Sequence, residues 1–194
     1  MIIKPSLSQC QVSKKMNCYA DLIHHTYHIP DYPNDPSRHV TEHYEALLNS
    51  SLDSGNANRG RWFEVCIIDS CIKAGIDEAN IEYSVWPDRD LDCEIDIVLY
   101  PADINKSIAY IQAKTSLRER WKIMDREASI VRQIDRRNPL NIGLMYNEYP
   151  KNKNYTIEKN IRLAEQKEGK CGNMDQIITV MDVTRYNNII GRFL

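Results

Sequence analysis

Residues 94–114 read Glu-Ile-Asp-Ile-Val-Leu-Tyr-Pro-Ala-Asp-Ile-Asn-Lys-Ser-Ile-Ala-Tyr-Ile-Gln-Ala-Lys, two short apolar runs on either side of a polar turn. Side chains alternate in an extended chain, so Glu94, Asp96, Val98 and Tyr100 share one face and Ile95, Ile97 and Leu99 the other. By the same count Tyr110, Gln112 and Lys114 point together. Paired as a hairpin, the runs bring Asp96, Gln112 and Lys114 to one edge. There a carboxylate and an amide oxygen offer ligands to a hard cation, with an ammonium beside them.

Working outward, the pattern predicts strands at about 80–86, 94–100 and 107–114, joined by turns at Pro87-Asp88 and Pro101–Lys106. Upstream, Arg61–Ala74 reads as a helix with Phe63, Ile67 and Cys71 on one stripe, Glu64 in its first turns and Gly75 as its stop. Residues 51–58 read as a loop. From Ser116 the period turns helical, with Leu117, Trp121, Met124, Ala128 and Val131 on one buried stripe, and Arg118, Lys122 and Arg126 following at four-residue steps nearby. Pro139 ends that helix. Leu140–Tyr146 and Gln176–Val183 read as strands separated by a polar helix at about 156–167. Helices at 6–28 and 38–50, the second opened by Asp35-Pro36-Ser37, form an N-terminal extension over residues 1–57, ahead of a core at 58–194 within one domain.

The chain has 194 residues, 42% hydrophobic and 27% charged, which suits one globular unit. No apolar run exceeds four residues, which excludes a helical membrane span, and Met1–Ser6 lacks the apolar segment of a signal peptide. Six cysteines without a C-x-x-C pair fit reduced thiols in a cytoplasmic protein. The net charge of -2 conceals an asymmetry: residues 77–103 hold nine acids against Arg89 alone, and residues 114–137 hold eight bases against four acids. An acidic cluster repels phosphates unless cations neutralise it, while a basic segment attracts them. Together they fit a polyanion held over a metal site.

Glu64 on a helix, Asp96 on the second strand and Gln112-x-Lys114 on the third, followed by a helix, resemble the PD-(D/E)XK nuclease superfamily, with Gln112 where Asp or Glu is usual. The likeness covers residues 58 to about 146. Within that superfamily, Lys114-Thr-Ser-Leu-Arg-Glu-Arg-Trp-Lys122 and Asn58-Arg-Gly-Arg-Trp-Phe-Glu64 are similar to stretches of type II restriction endonucleases. The resemblance implies an α/β fold with a mixed central sheet flanked by helices in αβββαβ order. It implies a double-stranded DNA substrate and Mg2+, with Mn2+ as a substitute. A homodimer would act on a palindromic target, and a cognate DNA methyltransferase would belong to the same system. A repair, recombination or mobile-element nuclease is the runner-up.

Phosphodiester hydrolysis needs a nucleophile at phosphorus, relief of charge on the non-bridging oxygens and help for the leaving oxygen. Asp96, Glu64, the Gln112 side-chain oxygen and the Ala113 carbonyl make a partial oxygen shell for magnesium. Lys114 orients or helps deprotonate the attacking water. Gln112 removes one negative charge, so Glu94 and Asp92, on the face of Asp96 if the strand extends backward, stay open as ligands. Arg118, Arg120, Lys122, Arg126, Arg136 and Arg137 are candidates for phosphate contacts, and loops at 147–155 and 168–175 for base readout.

Two other readings compete. His39-Val-Thr-Glu42-His43 matches the H-x-x-E-H pattern of inverted zinc proteases, in which two imidazoles one turn apart bind zinc. His24, His25 and His28 form a histidine-rich helix end that suits the helix dipole. A non-catalytic nucleic-acid-binding module would keep the basic helix but has no use for Asp96 or Lys114.

Overall fold

The computed structural model describes residues 9–52, 55–88, 90–103, 105–115, 121–146 and 173–194. Three helices come first: α1 (Gln9–Thr26), α2 (Pro36–Leu48) and α3 (Asn56–Ala74). The Asp35 side chain accepts the Arg38 amide at 3.2 Å and Pro36 fills the first turn of α2, as the sequence predicts. α3 ends at Gly75, whose φ of 109° is the left-handed conformation that closes a helix.

α3 begins at Asn56, inside the stretch read as a loop. Asparagine and glycine are weak helix formers, but tertiary contacts override that preference: the buried Tyr44 hydroxyl on α2 donates to the Arg59 carbonyl at 3.1 Å.

Five strands follow in a mixed sheet of order β1-β2-β3-β4-β5: Ile81–Asp88, Cys93–Leu99, Ala109–Lys114, Leu140–Met145 and Gln176–Thr179. β1, β2 and β3 form the expected antiparallel meander, with Ile97 opposite Ile111. β3, β4 and β5 run parallel, and α4 (Trp121–Ile134) makes the crossover from β3 to β4. Pro87-Asp88, read as a turn, lies inside β1. Proline is tolerated on an edge strand, and the register shifts between Val85 and Asp88.

The last strand stops at Thr179, short of the predicted Val183, because Asp182 caps a new helix, α5 (Val183–Ile190), by accepting the Arg185 amide at 3.1 Å. Tyr186, Ile189 and Ile190 of α5 are buried in the main core. That core also takes Leu22 from α1, Leu47 from α2, Ile67 from α3 and Ile97, Ile111 and Leu144 from the sheet. The N-terminal helices therefore pack into the same interior as the sheet. Ile95, Val98, Tyr110 and Val131 form a second cluster with α4. Cys18, Cys66, Cys71 and Cys93 are buried cysteines. No described helix is long and apolar enough to cross a membrane. The predicted helix at 156–167, the loop at 147–155 and most of 168–175 lie outside the described residues, as do Arg118 and Arg120.

Candidate active site

The antiparallel register puts Asp96 across from Gln112, and the carboxylate reaches along the sheet to the end of β3. Asp96 Oδ2 accepts the Ala113 amide at 2.8 Å and Lys114 Nζ at 2.7 Å. Both side chains are largely buried. They open into a cavity of about 750 Å3. The sheet contributes Ser84, Glu94, Asp96, Ala113 and Lys114 to its lining, and α3 contributes Arg59, Gly60, Arg61 and Glu64. Three of the expected ligand residues, Asp96, Ala113 and Glu64, thus share one cavity with Lys114.

Gln112 sits differently. It is 2% exposed, its amide nitrogen donates to the Glu94 carbonyl at 2.9 Å, and its oxygen is buried without a partner. Asp92 falls in the exposed turn before β2, with φ 49°, so of the two neighbouring acids only Glu94 reaches the cavity.

Sequence reasoning missed Glu127. It projects from α4, is 7% exposed, and leaves Oε2 buried without a hydrogen-bond partner. Burial pushes its carboxyl up to about 7, with Asp96 and Glu94 adding to the rise and Lys114 and Arg126 opposing it. A signal was present: Glu127 lies three residues after Met124 and four before Val131, an acid on the apolar stripe of its helix.

Lys114 feels the same field from the other side. Burial pulls its ammonium down, but Asp96, Glu127 and Glu64 outweigh burial and hold it above the ordinary lysine value. Lys114 is therefore a cation at neutral pH. The donor set fits a hard divalent ion: Asp96 and Glu64 line the cavity, Glu127 acts on Lys114 as they do, and Glu127 and Gln112 each keep an orphaned buried oxygen. Ser84, across from Asp96 in the register, has a left-handed φ of 50° in mid-strand, a strain of about 1 kcal/mol localised on the cavity wall.

The predicted basic contacts scatter. Lys122 is exposed on α4, Arg126 donates to the Leu91 carbonyl at 2.6 Å, Arg136 is exposed beyond α4, and Arg137 clasps Asp135. None of these lines the cavity; among the described residues its arginines are Arg59 and Arg61.

The histidines of α2 belong to a different structure. His39 Nδ1 accepts the Tyr32 amide at 3.3 Å, which leaves the proton on Nε2, 2.8 Å from Asp69 Oδ2. Tyr19 donates to the other Asp69 oxygen at 2.8 Å. Burial raises the Asp69 carboxyl, but these two hydrogen bonds outweigh it and leave it below the usual value. Asp31, His39 and His43 bring ligand atoms within 4.8 Å of one another. The two rings, however, stack at 3.9 Å with planes 16° apart, so their in-plane lone pairs run side by side instead of converging on one ion. Glu42, the would-be general base, is bonded to Tyr32 and Arg38.

An αβββαβ core with a charged cavity at the end of β3 defines the restriction-endonuclease-like class of folds, and this chain has that fold. Among solved structures it resembles the restriction endonuclease PspGI in complex with substrate DNA, with a TM-score of 0.59, 15% sequence identity, and coverage of 92% of this chain and 81% of that one. No family model matches the chain, and no curated protein matches it.

Proposed function

We propose that this chain is a magnesium-dependent endodeoxyribonuclease that hydrolyses phosphodiester bonds in double-stranded DNA, and that it acts as a sequence-specific type II restriction enzyme. The observation that carries the reading is the Lys114–Asp96 pair at 2.7 Å on the wall of a cavity that Glu64 also lines, with the buried Glu127 close behind it. Asp96, Glu64 and Glu127 would hold the magnesium, with Gln112 and the Ala113 carbonyl as further oxygens. When bound, the ion relieves charge on the phosphate and makes water a better nucleophile.

The chain's own groups account for the rest. Lys114, held as a cation by the surrounding carboxylates, would donate hydrogen bonds to the attacking water or to a phosphate oxygen and stabilise charge that develops in the transition state. Asp96 fixes the ammonium in place, and the Ala113 amide fixes Asp96. Burial of both partners keeps the pair strong by limiting solvent screening.

The overall charge of -2 gives no global attraction to DNA, so the local arginines and the cation must supply it. Action as a homodimer on a palindromic site, alongside a cognate methyltransferase, completes the proposal. Mixed genomic DNA incubated with the protein, with and without Mg2+, followed by sequencing of the ends, tests it. Discrete ends sharing one motif are the expected result. Random ends would replace restriction by a repair or mobile-element role, and no cutting would overturn the nuclease reading.

A further inference from the structure

We propose that Arg59, Gly60 and Arg61 form the seat for a DNA backbone phosphate beside the scissile one, an inference that rests on the nuclease reading above. All three line the cavity that contains Asp96 and Lys114. An acidic, metal-binding site cannot by itself retain a polyanion, and of the basic residues expected to do so the described ones, Lys122, Arg126, Arg136 and Arg137, do not line the cavity. Two guanidinium groups from one helix can supply that grip next to the reacting centre, since arginine matches phosphate geometry.

Gly60 makes the inference specific. It lies inside a 19-residue helix, where glycine is less stable than alanine. Its backbone is not left-handed, and a Cβ built on it would meet no atom within 4 Å. Neither conformation nor internal packing calls for glycine there, and the space it leaves opens on the cavity wall between the arginines. The missing side chain lets a ligand approach the helix backbone closely. Ala57, Gly60, Arg61 and Glu64 follow at helical spacing, so the face that carries this opening also carries a candidate metal ligand.

The test uses the full chain and a labelled pool of sheared genomic duplex DNA in calcium, which supports binding without efficient cleavage, with affinity measured across a salt series. Arg59→Ala and Arg61→Ala are each expected to weaken binding about tenfold and to lower the log–log salt slope by about one. Gly60→Ala should raise the thermal midpoint by about 2 °C while weakening DNA binding several-fold. Gly60→Leu should fold and weaken binding more than tenfold. A merely structural glycine could not give a more stable protein with poorer binding. Arginine variants with an unchanged salt slope, or a Gly60→Leu protein that binds and cuts like the parent, would overturn the seat while leaving the nuclease reading intact. Failure of the unaltered chain both to bind duplex DNA and to cut it would overturn both.

Discussion

Lys114 donates to Asp96 at 2.7 Å across the antiparallel β2–β3 pair, and the same carboxylate oxygen takes the Ala113 amide at 2.8 Å. The ammonium is therefore aimed by a carboxylate that the backbone of its own strand holds in place. Lys114→Ala should lower cleavage by about 10³-fold or more, because it removes a preorganised charge from a buried site. Binding in calcium should stay within about threefold, since the phosphate grip lies elsewhere. Single-turnover cleavage and equilibrium binding of the same variant separate the two; equal losses in both would mean that Lys114 holds substrate and does not promote reaction.

Glu127 gives a pH signature without any substrate. Its folded-state value rises from 4.5 to about 7, so the native state keeps a proton that the unfolded chain releases. Below about pH 4.5 both states are protonated and nothing is lost. As the pH climbs from there through 7, stability falls, towards a limit of roughly 3 kcal/mol. In chelator, Glu127→Gln should flatten this decline and melt above the parent at pH 8. Mg2+ should raise the midpoint of the parent at pH 8 and have little effect on the variant. A parent whose midpoint is flat between pH 5 and 8, and equal to the variant's, would remove Glu127 from the site.

The strands that carry Asp96 and Lys114 were legible because alternation in a meander is local: Ile95, Ile97, Leu99 and Ile111 mark the faces without reference to the rest of the chain. Glu127 was not legible in that way. Its partner is on another element, and only the crossover from β3 through α4 to β4 brings it to Lys114. Arg59 was hidden by a related effect. The Tyr44 hydroxyl meets the Arg59 carbonyl from α2, a contact that local sequence does not display, so the helix was read from Arg61 onward and Arg59 fell outside it. The basic run after Lys114 was visible as charge, but sequence does not say which way an arginine turns. Arg126 turns to the Leu91 carbonyl.

The His39–Asp69–Tyr19 chain ties α1, α2 and α3 together through a carboxylate that is 6% exposed. Asp69→Ala leaves a buried imidazole and a phenol unpartnered and should cost about 3 kcal/mol. Cleavage per folded molecule should hardly change. His43→Ala should likewise spare magnesium-dependent cleavage, and metal analysis of the purified protein should find no stoichiometric zinc. Zinc at one equivalent, with activity lost in the His43 variant, would return the zinc-protease reading.

Arg137 distinguishes a basic residue that holds the fold from one that holds DNA. Its guanidinium takes both oxygens of Asp135 at 2.7 Å, and Tyr110 donates to that carboxylate at 2.9 Å. β4 pairs Leu140 with Ala109 at its start and Met145 with Lys114 at its end. Arg137, just before β4, is therefore separated from the Lys114 end by about 16 Å of strand. Asp135 is 9% exposed, so Arg137→Ala strips a buried acid of its charged partner and should cost about 1–2 kcal/mol. The salt slope of DNA binding should match the parent, in contrast to the drop of about one expected for Arg61→Ala. An Arg137→Ala protein that melts like the parent but loses one unit of slope would place the DNA over the opposite end of the sheet, and the Asp135 pair would then be incidental to the fold.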